Sequence, residues 1–430
     1  MAHDMVNLGL AGYGTVGTGL ARILEENGDW IARRLGKRLG ITKVLVRNLD
    51  KGRAFPPGPK TTFTTSMEEL VNDPEIDIVV ELMGGIEAPY QLIRSALEKG
   101  KPVVTANKAL LAERGPELFA LANRQGLGLY YEASVAGGIP IVETLKQSLA
   151  GNKIKTLTGI LNGTANFILS EMTATGMDFT DALGLAQDKG YAEADPELDI
   201  EGMDAAHKLC LLIRLAHGQD YPLHDLPVQG ITGMHPFDIE MARDFGYRIK
   251  LLAQVKDRSG HLQAGVFPAL IKEDHILAKV DGPYNAILLD GNAVGPIMLY
   301  GQGAGDLPTG SAVLADIMAL ARKTAPNNTG FIEESLPKAQ ILAPEQTVFR
   351  HYFRFTVKDR PGVLSTISGI MGERNISIAQ AVQKQEPQGG GVPVVFFSHA
   401  AQLKDVRDAL SEIDGLSFVC APTVHYRILS

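Results

Sequence analysis

An aspartate and a lysine four residues apart lie at the start of DAAHKLCLLIRLA, which covers residues 204–216. If this stretch is a helix, the spacing puts the side chains of Asp204 and Lys208 on one face. A lysine held beside a carboxylate can exchange a proton with a substrate and stabilise a developing oxyanion. At about 100° per residue, His207 and Arg214 fall on the same side. The alternative is therefore a solvated polar stripe with a surface ion pair, which this stretch alone favours.

The loop just before this stretch, GYAEADPELDIEG, is crowded with carboxylates. They are Glu193, Asp195, Glu197, Asp199 and Glu201. Like charges at this density repel one another unless solvent or a cationic partner relieves them. The loop is thus either a solvated acidic surface or a binding site for an ammonium group.

The N-terminal run VNLGLAGYGTVGTGLARIL has the pattern of an apolar strand, a glycine turn and a helix. Gly12, Gly14 and Gly17 have the G-x-G-x-x-G spacing that lets a pyrophosphate approach the helix N-terminus, where Thr15 and Val16 lie. A tight turn without a ligand is the alternative. The strand-like runs ITKVLVR, IDIVVEL and KPVVTAN alternate with helical segments. This alternation predicts a doubly wound parallel sheet that binds a dinucleotide.

The end of the second strand, VLVRNLDK, carries cations where NAD-dependent enzymes usually carry Asp or Glu. Arg47 there, with Lys51 nearby, suits the 2′-phosphate of NADP, so we expect NADP(H) to be favoured and NAD(H) to be tolerated. A surface arginine is the alternative. Two further strand ends offer contacts at the same edge of the sheet, Gly84 in ELMGG and Lys108 in VVTANKALL. A lysine in such a position is more often solvated.

The composition is that of an ordinary globular protein with a small-molecule ligand. The chain has 430 residues, enough for two or three domains, and 45% of them are hydrophobic. A formal net charge of −8 gives no reason to expect nucleic acid or an anionic membrane as a partner. Cys210 and Cys420 lie in apolar contexts, which argues against a disulfide framework or a zinc site. Neither a signal peptide nor a membrane span is evident, so we expect a cytoplasmic location.

The rest of the chain changes pattern twice. From residue 134 onward, runs such as KIKTLTGIL, RIKLLAQVKD and HLQAGVFPAL predict a largely antiparallel sheet under helices. After a proline-containing segment, the order of elements is β-α-β-β-α-β, which is ferredoxin-like. We therefore divide the chain into an α/β Rossmann-type nucleotide-binding domain (1–133, completed by part of 300–325), an α+β domain (134–338), a linker (339–349) and a C-terminal domain (350–430).

Six motifs occur in the order found in homoserine dehydrogenases: GLAGYGTVGTGL, VVTANKALL, YEASVAGGIPI, GILNGTANFIL, GYAEADPELDIEGMDAAHK and GQGAGDLPTGSAV. The chain resembles that family over essentially its whole length. The resemblance implies NAD(P)-dependent interconversion of L-homoserine and L-aspartate 4-semialdehyde, on the route to threonine and methionine. It also implies that the α+β domain carries catalysis and pairs subunits, so we expect a homodimer or homotetramer. In one small departure, the family's PTASAV run reads PTGSAV here, and Gly310 near a helix start should cost less than about 1 kcal/mol.

The resemblance also implies roles for single residues. Lys208 matches the family's catalytic acid/base lysine, and Asp204 matches its partner on the same helix face. The substrate set is Glu193, Asp204, Asp199 and Lys108. With the residues found above, the cofactor set is Gly12, Gly14, Thr15, Val16, Gly17, Arg47, Lys51, Gly84, Lys108, Gly190 and Gly305. A monovalent cation, typically sodium, is implied at Glu132 and the backbone carbonyls of Val135, Gly137 and Ile139. His207 and Arg214 gain no role and stay with the solvated stripe, while His217 and His235 look structural.

The run DRPGVL at 359–364 resembles a turn of ACT domains, small modules that often bind amino acids at a paired interface. The candidate effector residues are Asp359, Gly362, Val363 and Leu364, with Asn375 and Ile376 opening the second strand. We expect feedback inhibition by L-threonine, and the alternative is a dimerisation module without a ligand. Two other functions stay open for the whole chain: a dehydrogenase of another amino-acid semialdehyde, and a non-catalytic regulator that binds NADP and an amino acid.

Overall fold

The computed structural model describes residues 5–53, 55–383 and 390–429. Its N-terminal part is built on a six-stranded parallel sheet with the order β3-β2-β1-β4-β5-β6. The strands are β1 (Met5–Ala11), β2 (Arg38–Leu45), β3 (Thr62–Thr64), β4 (Ile78–Glu81), β5 (Val103–Thr105) and β6 (Leu129–Tyr130). This order is that of a doubly wound nucleotide-binding sheet, so the Rossmann-type prediction is confirmed.

Five helices connect these strands. They are α1 (Thr15–Glu26), α2 (Gly28–Leu35), α3 (Met67–Val71), α4 (Glu87–Glu98) and α5 (Lys108–Gln125). Asn107 caps α5 by accepting a hydrogen bond from the Leu110 N–H at 3.1 Å, and Gly126 ends the helix in a left-handed conformation. The cap fixes the start of α5 directly after β5. Lys108 is therefore held at the carboxyl edge of the sheet.

A later helix, α12 (Asp306–Ala321), returns to complete this N-terminal part. Its Val313 and Ile317 share one apolar core with Leu10 of β1 and Leu20 of α1. The crossing of α12 on α1 depends on small residues, because a Cβ on Gly310 would lie 2.9 Å from the backbone nitrogen of Leu20. Glycine at this position thus allows the two helices to pack closely. The cost expected for Gly310 from helix propensity does not take this packing into account.

The middle of the chain forms an antiparallel sheet with the order β11-β10-β7-β8-β9. Its strands are β7 (Ile154–Ile160), β8 (Tyr247–Arg258), β9 (His261–Lys272), β10 (Tyr284–Gly291) and β11 (Gly295–Gln302). The helices of this part are α6 (Ile141–Glu143), α7 (Gly163–Thr175), α8 (Phe179–Asp188), α9 (Glu197–Ile200), α10 (Met203–His217) and α11 (Pro236–Asp244). The predicted α+β architecture is confirmed, and α10 packs against strands of this sheet.

The C-terminal part has the predicted β-α-β-β-α-β order, with one additional short strand. Its elements are β12 (Val348–Val357), α13 (Val363–Glu373), β13 (Ile378–Gln383), β14 (Val392–Ser398), β15 (Ala401–Gln402), α14 (Leu403–Asp414) and β16 (Val419–Leu429). The strand order β16-β12-β14-β13 is that of an antiparallel ferredoxin-like sheet. The prediction that Asn375 and Ile376 open the second strand is wrong. Asn375 has a φ of 57°, so it belongs to the turn after α13, where asparagine tolerates this conformation.

The C-terminal sheet continues the antiparallel sheet of the middle part, because β16 pairs in parallel with β9 over residues 427–429. At the same junction, the carboxylate of Asp238 on α11 is fully buried. It accepts hydrogen bonds from the Tyr352 hydroxyl at 2.7 Å and from Arg354 Nε and Nη2 at 2.7 and 2.9 Å. The sequence alone indicated a separate module here. The structure instead shows a C-terminal part built into the same sheet.

In the described part of the chain, no helix is long and apolar enough to cross a bilayer. Cys210 is buried in α10, Cys420 lies in β16, and both are free thiols.

Candidate active site

The three glycines of the N-terminal motif have three different surroundings. Gly12 has a φ of 95°, and a Cβ there would lie 2.6 Å from the carbonyl oxygen of Leu82. Gly14 precedes α1 and has open space where its side chain would be. A Cβ on Gly17 would lie 2.8 Å from the Gly12 carbonyl oxygen. The turn, the ligand approach and the helix packing expected of this motif are thus all present, with Thr15 and Val16 in the first turn of α1.

The loops after β1 and β4 meet where the strand order reverses, which is where nucleotides bind in such sheets. Gly84, in the loop after β4, has open space around its Cα. Asn107 joins this loop to the end of β5, because its side-chain amide donates to the Gly85 carbonyl at 2.7 Å. The predicted cofactor residues Gly12, Gly84 and Lys108 therefore line adjoining loops of one crevice.

Glu81 is a site residue that the sequence reasoning missed. It ends β4, is fully buried, and accepts hydrogen bonds from the Met83 N–H at 2.6 Å and the Thr105 hydroxyl at 2.5 Å. Burial raises the pKa of this carboxyl to about 7. The signal was available in ELMGG, where a carboxylate ends an otherwise apolar strand.

Arg47 and Lys51 are both exposed in the loop after β2. A third cation, Arg53, lies in the same loop and was not predicted. Its guanidinium donates to the Asn48 carbonyl at 2.8 Å and to the Lys51 carbonyl, and it lies over the Phe63 ring at 5.3 Å. Arg53 thus orders the loop backbone, while Arg47 and Lys51 remain accessible to a charged ligand.

Asp204 and Lys208 form a buried pair at the start of α10. Lys208 Nζ lies 2.6 Å from Asp204 Oδ2 and donates to the Leu161 carbonyl at 2.7 Å. Lys208 is 8% exposed and Asp204 is 6% exposed. The solvated stripe is therefore wrong, because α10 is covered on all sides by neighbouring elements. Asp204 also lies in the first turn of the helix, where a negative charge is favoured.

Lys108 connects the two halves of the site. Its ammonium lies 3.1 Å from Asp204 Oδ1, so one carboxylate holds a lysine from α5 and a lysine from α10. The charge of Asp204, followed by that of Asp199 and Glu193, raises the pKa of Lys108 against the effect of burial. Burial lowers the pKa of Lys208, and Lys108 lowers it further, although Asp204 opposes both. Of the two lysines, Lys208 is the one poised to lose a proton.

Burial alone would raise the pKa of Asp204, but the ammonium groups of Lys208 and Lys108 outweigh it and hold that pKa below its ordinary value. Asp199 behaves differently. Burial and the nearby Asp204 carboxylate raise the pKa of Asp199. The cluster therefore contains one firmly ionised carboxylate and one that holds its proton to a higher pH.

Asn162 joins these two carboxylates and was not predicted. Its side-chain amide donates to Asp199 Oδ1 at 2.7 Å and to Asp204 Oδ2 at 2.8 Å. Its Oδ1 accepts from the Ala165 N–H at 2.7 Å, which caps α7. The available signal was the sequence N-G-T-A after a buried strand, a typical helix start.

Glu193 and Gly190 lie on the exposed side of this cluster. Gly190 follows α8 with a φ of 75°, and the Glu193 side chain is exposed. The charge of Glu193 contributes, after those of Asp204 and Asp199, to the raised pKa of Lys108. The other carboxylates of the loop, Asp195, Glu197 and Glu201, are exposed, which fits the solvated surface for those three.

His207 and Arg214 are buried, so their assignment to a solvated stripe is wrong. Arg214 pairs with Asp220 at 2.5 Å and lies over the Phe119 ring at 4.6 Å. Burial lowers the pKa of His207. Arg214 thus joins α10 to Asp220 and to Phe119 of α5. His235 has a structural position, since its ring accepts a hydrogen bond from the Phe237 N–H at 3.1 Å and caps α11.

The residues of the implied cation site lie on one buried turn. Glu132, Val135 and Ile139 are at most 4% exposed, and Ala136 and Gly137 have φ values of 55° and 54°. Glu132 accepts hydrogen bonds from the Val142 and Glu143 N–H groups at 2.8 and 2.7 Å, and burial raises its pKa to about 7. The implied ligands, one carboxylate and several backbone carbonyls, are all oxygen atoms, which is the ligand type that a hard cation takes. Among the described residues, no cluster of three or more His, Cys, Asp or Glu side chains could hold a metal.

Gly305 precedes α12 with a φ of 124°. The start of α12 lies against the nucleotide-binding helix, because a Cβ on Gly19 would lie 2.2 Å from the carbonyl oxygen of Asp306. Arg22 of α1 also pairs with Asp306 at 3.3 Å. The glycine loop GQGAGD therefore reaches the same crevice as the N-terminal glycine turn.

The C-terminal part has a cavity of about 150 Å³ at the turn DRPGVL. Its lining includes the predicted residues Asp359, Gly362, Val363 and Leu364, with Lys358, Arg360, Pro361, Val357, Gln383, Val392 and Val394. Gly362 has a φ of 92° and precedes α13. Asn375 and Ile376 lie beyond the opposite end of α13, so a single chain does not bring them to this cavity.

The structure combines a dinucleotide turn with a buried lysine, Lys208, whose pKa is lowered by burial and which Asp204 connects to Lys108 at the edge of the nucleotide-binding sheet. This combination defines the chain as a nucleotide-dependent oxidoreductase with an appended ferredoxin-like domain. Family models match at residues 12–132 (homoserine dehydrogenase, NAD binding domain), 140–318 (homoserine dehydrogenase) and 351–416 (ACT domain). The chain belongs to the homoserine dehydrogenase family and carries a C-terminal ACT domain.

Whole-chain relatives agree. A homoserine dehydrogenase from Helicobacter pylori is 43% identical over 414 residues, covering 96% of each chain. A homoserine dehydrogenase structure from Thiobacillus denitrificans has a TM-score of 0.93 and 41% identity, covering 100% of this chain and 99% of that chain. A hyperthermophilic archaeal homoserine dehydrogenase in complex with NADPH has a TM-score of 0.62 and 27% identity, covering 74% of this chain and 98% of that chain.

Proposed function

We propose that the chain interconverts L-homoserine and L-aspartate 4-semialdehyde, prefers NADP(H), and uses Lys208 as its acid/base. The observation that carries this proposal is the buried Lys208 ammonium, anchored by Asp204 at 2.6 Å and by the Leu161 carbonyl at 2.7 Å. A lysine fixed in this way beside a nucleotide crevice suits a reaction that moves one proton to or from an oxygen.

The two anchors leave one position of the amine for the substrate. An ammonium has three N–H donors, and two of them are used by Asp204 Oδ2 and Leu161 O. In the aldehyde-reducing direction, the third N–H donates to the oxygen on which negative charge develops and then transfers its proton. In the alcohol-oxidising direction, a neutral amine keeps both anchors and presents its lone pair at the same position. One geometry thus serves both directions.

The remaining polar groups bind and orient the substrate. The Lys108 ammonium holds the other oxygen of Asp204 at 3.1 Å and, since its pKa is raised, keeps its positive charge near a substrate carboxylate. Glu193 is available for the α-ammonium group, and Asp199 is held in place by Asn162. The two ends of an amino-acid substrate would then fix its reacting carbon opposite Lys208.

The cofactor set is formed by the glycine turn at Gly12, Gly14 and Gly17, the loops at Gly84 and Gly190, the start of α12 at Gly305, and Lys108. When bound, the nicotinamide supplies or accepts the hydride. Arg47 and Lys51 are exposed cations after β2, which supports NADP(H) over NAD(H). The NADPH complex of the related archaeal homoserine dehydrogenase is consistent with this preference.

Cofactor preference is tested with Arg47→Ala, assayed with NADPH and with NADH. We expect the KM for NADPH to rise about tenfold or more, since a charged contact is worth about 1.4 kcal/mol or more, and the KM for NADH to stay unchanged. Arg38→Ala is the matched control, because Arg38 pairs with Asp29 at 2.7 Å on the protein surface. Equal changes with the two cofactors would contradict the assignment of Arg47.

The catalytic assignment is tested with Lys208→Ala in the oxidation of NADPH by L-aspartate semialdehyde. Turnover should fall by several orders of magnitude, while NADPH still binds, because the glycine turn is unaffected. Near-normal turnover would overturn the assignment.

Profiling other amino-acid semialdehydes separates this function from that of a related dehydrogenase. A regulator without catalytic activity would show no turnover with any of them.

A monovalent cation, sodium, is proposed at Glu132 and the carbonyls of Val135, Gly137 and Ile139. The buried all-oxygen donor set and the raised pKa of Glu132 support it, since a cation would stabilise the ionised carboxylate. Thermal unfolding measured in sodium and in tetramethylammonium chloride at equal ionic strength should differ, with the higher midpoint in sodium. Glu132→Gln should remove that difference.

The ACT domain is proposed to bind L-threonine and to inhibit the enzyme. The 150 Å³ cavity lined by Asp359, Gly362 and Leu364 supports this, because it combines charged and apolar groups at a helix start. The full-length enzyme should lose activity as threonine is added, and Asp359→Ala should weaken that inhibition without changing the uninhibited rate. Activity that is insensitive to threonine would leave dimerisation as the role of the domain.

The division of the chain at residues 133, 338 and 349, and assembly into a homodimer or homotetramer through residues 134–338, also remain proposals. Because β16 pairs with β9, one continuous sheet crosses the proposed boundary between the α+β domain and the C-terminal domain. Light scattering of the full-length protein tests the assembly, and a monomer would contradict it.

A further inference from the structure

Asn285 lies in the interior directly behind the Lys208 anchor. It belongs to β10 and is 1% exposed. Its side-chain amide donates to the Leu161 carbonyl at 3.0 Å, and the same carbonyl accepts from Lys208 Nζ at 2.7 Å. One backbone oxygen is therefore shared by the reacting lysine and by a buried asparagine from the antiparallel sheet.

Two glycine backbones enclose this asparagine. A Cβ on Gly303 would lie 2.2 Å from the Asn285 side chain, and a Cβ on Gly163 would lie 3.6 Å from its Oδ1. Gly163 follows the Leu161 segment, and Gly303 belongs to the GQGAGD loop that leads to Gly305. The side chain is thus packed between the loop that carries the lysine anchor and the loop that reaches the nucleotide crevice.

The orientation of the amide is set by chemistry. The Leu161 carbonyl can only accept, so the NH2 group of Asn285 must face it. Its Oδ1 is then buried without a hydrogen-bond partner among the described residues. An orphaned buried acceptor destabilises the folded state, and an apolar side chain of the same shape would avoid that cost. Retaining asparagine here therefore indicates a use for its N–H group.

We propose that Asn285 is a positioning residue for Lys208, fixing the Leu161 carbonyl so that the third position of the amine faces the substrate. The peptide bond it holds leads directly to Asn162, whose side chain orients Asp204 and Asp199. The hydrogen bond from Asn285 also occupies part of the acceptor capacity of the carbonyl, which weakens its hold on the charged ammonium and favours proton release. This inference rests on the proposed role of Lys208.

The test compares Asn285→Leu and Asn285→Asp with Asn328→Leu in the full-length enzyme. Asn328 is a similarly buried asparagine whose side chain bonds to Leu129, Asn123 and Leu127, away from the Lys208 cluster. In homoserine oxidation, Asn285→Leu should lower kcat about 10- to 100-fold and move the pH midpoint of kcat upward. The KM for NADP+ should stay within about twofold. Asn328→Leu should change only the unfolding midpoint.

Asn285→Asp keeps the shape and gives a second readout. Only a protonated carboxyl can donate to the Leu161 carbonyl, so the kcat of this variant for homoserine oxidation, relative to the wild type, should fall as pH rises. The charged groups that act on Lys208 are Asp204 from α10, Lys108 from α5 and Asp199 from α9. An ionised carboxylate in place of the amide adds negative charge to that set and holds the proton on Lys208. If Asn285→Leu does not fold, the pH dependence of the kcat ratio between Asn285→Asp and the wild type tests the proposal by itself.

The inference is overturned if Lys208→Ala abolishes turnover while Asn285→Asp keeps a constant kcat ratio across pH. It is also overturned if Asn285→Leu folds and retains the wild-type kcat and pH midpoint. Failure of the proposed function itself has a different signature, since Lys208→Ala would then keep its turnover.

Discussion

Glu81 and Asp204 are both buried carboxylates at the crevice, yet their pKa values are shifted in opposite directions from the ordinary values. Asp204 is in contact with two ammonium groups, and its pKa is low in spite of its burial. Glu81 has only a hydroxyl and a backbone N–H as partners, and burial raises its pKa to about 7. The sign of each shift is thus decided by the charge of the nearest partner.

Burial of Lys208 predicts the pH dependence of turnover. Because burial and Lys108 lower the pKa of Lys208 below its ordinary value of 10.5, homoserine oxidation should rise with pH to a midpoint below 10.5. Semialdehyde reduction should fall through the same midpoint, since it needs the ammonium. Lys108→Ala should move that midpoint upward, and Lys108→Arg should leave it nearly unchanged. A midpoint that does not respond to Lys108 would contradict the electrostatic account.

Glu81 predicts a pH-dependent stability difference. Between about pH 4.5 and 7 the folded state keeps a proton that the unfolded state has lost, so this group lowers the free energy of unfolding as pH rises. Glu81→Gln removes that loss. Its amide oxygen can still accept from the Met83 N–H, while its NH2 group must donate to the Thr105 hydroxyl oxygen. We expect the stability of the variant relative to the wild type to increase by up to about 3 kcal/mol from pH 4.5 to pH 8.

Unfolding of both proteins in denaturant at these pH values measures the difference. Glu117→Gln is the control, since Arg114 and Tyr90 lower the pKa of that exposed carboxyl, so its effect has the opposite sign. A Glu81 variant whose relative stability does not change with pH would contradict the prediction.

At the scale of single residues, local spacing placed Asp204 and Lys208 on one helix face, and the family resemblance supplied their expected roles. Asn162 and Asn285 could not be found in that way. Asn162 reaches Asp204 across 42 residues of sequence, and Asn285 reaches Leu161 across 124. Spacing along one element carries no information about partners that the fold brings from elsewhere. The burial of α10 likewise depends on its neighbours, which is why the solvated stripe was favoured from the sequence.

At the scale of elements, glycines divide into those that allow close packing and those that do not. Gly310 on α12 lies against α1, whereas a Cβ on Gly184, in the interior of α8, would meet no atom within 4 Å. Helix propensity treats both alike and assigns to each a cost of up to about 1 kcal/mol relative to alanine. Close contact with a neighbouring helix distinguishes Gly310 from Gly184.

Gly310→Ala should therefore destabilise the protein by about 1–3 kcal/mol, because the added methyl group forces α12 away from α1. Gly184→Ala should stabilise it by about 0.5–1 kcal/mol, since alanine favours the helix and meets no neighbour. Thermal unfolding of the two variants beside the wild type makes the comparison. A stabilising Gly310→Ala would show that the helices can separate at no cost.

Strand and helix order were predictable at this scale because hydrophobic periodicity and turn residues mark each element locally. The β-α-β-β-α-β order of residues 348–429 is an example. The start of β13 was misjudged, since Asn375 adopts the left-handed conformation in a turn that extends to residue 377. Element ends depend on backbone angles that the pattern of side chains does not report.

At the scale of the whole molecule, the ion pair of Asp238 with Arg354 joins the ACT domain to α11. Arg354→Met would leave a fully buried carboxylate whose one remaining side-chain partner among the described residues is the Tyr352 hydroxyl. We expect a loss of about 3–5 kcal/mol in the free energy of unfolding. The double variant Asp238→Leu with Arg354→Met should recover most of this loss, because it removes the unpaired charge.

Arg374→Met is the matched control for that prediction. Arg374 pairs with Glu412 at 2.9 Å on the exposed side of the ACT domain, so its loss should cost less than about 1 kcal/mol. Denaturant unfolding of all four proteins makes the comparison. Equal costs for Arg354→Met and Arg374→Met would mean that the buried pair is solvated.

The pairing of β16 with β9 could not be predicted from the sequence, because the register between distant strands has no local signal.

The return of α12 to α1 sets the order in which the molecule can be completed during synthesis. The nucleotide-binding sheet ends at Tyr130, but its outer helix is not made until residue 321. At roughly 5–20 residues per second, a ribosome needs on the order of 10–40 s to cover that interval. Throughout this time, Leu20 and its apolar neighbours on α1 lack the surface that finally covers them. The nascent N-terminal half is therefore the stage at which we expect chaperones to bind this chain.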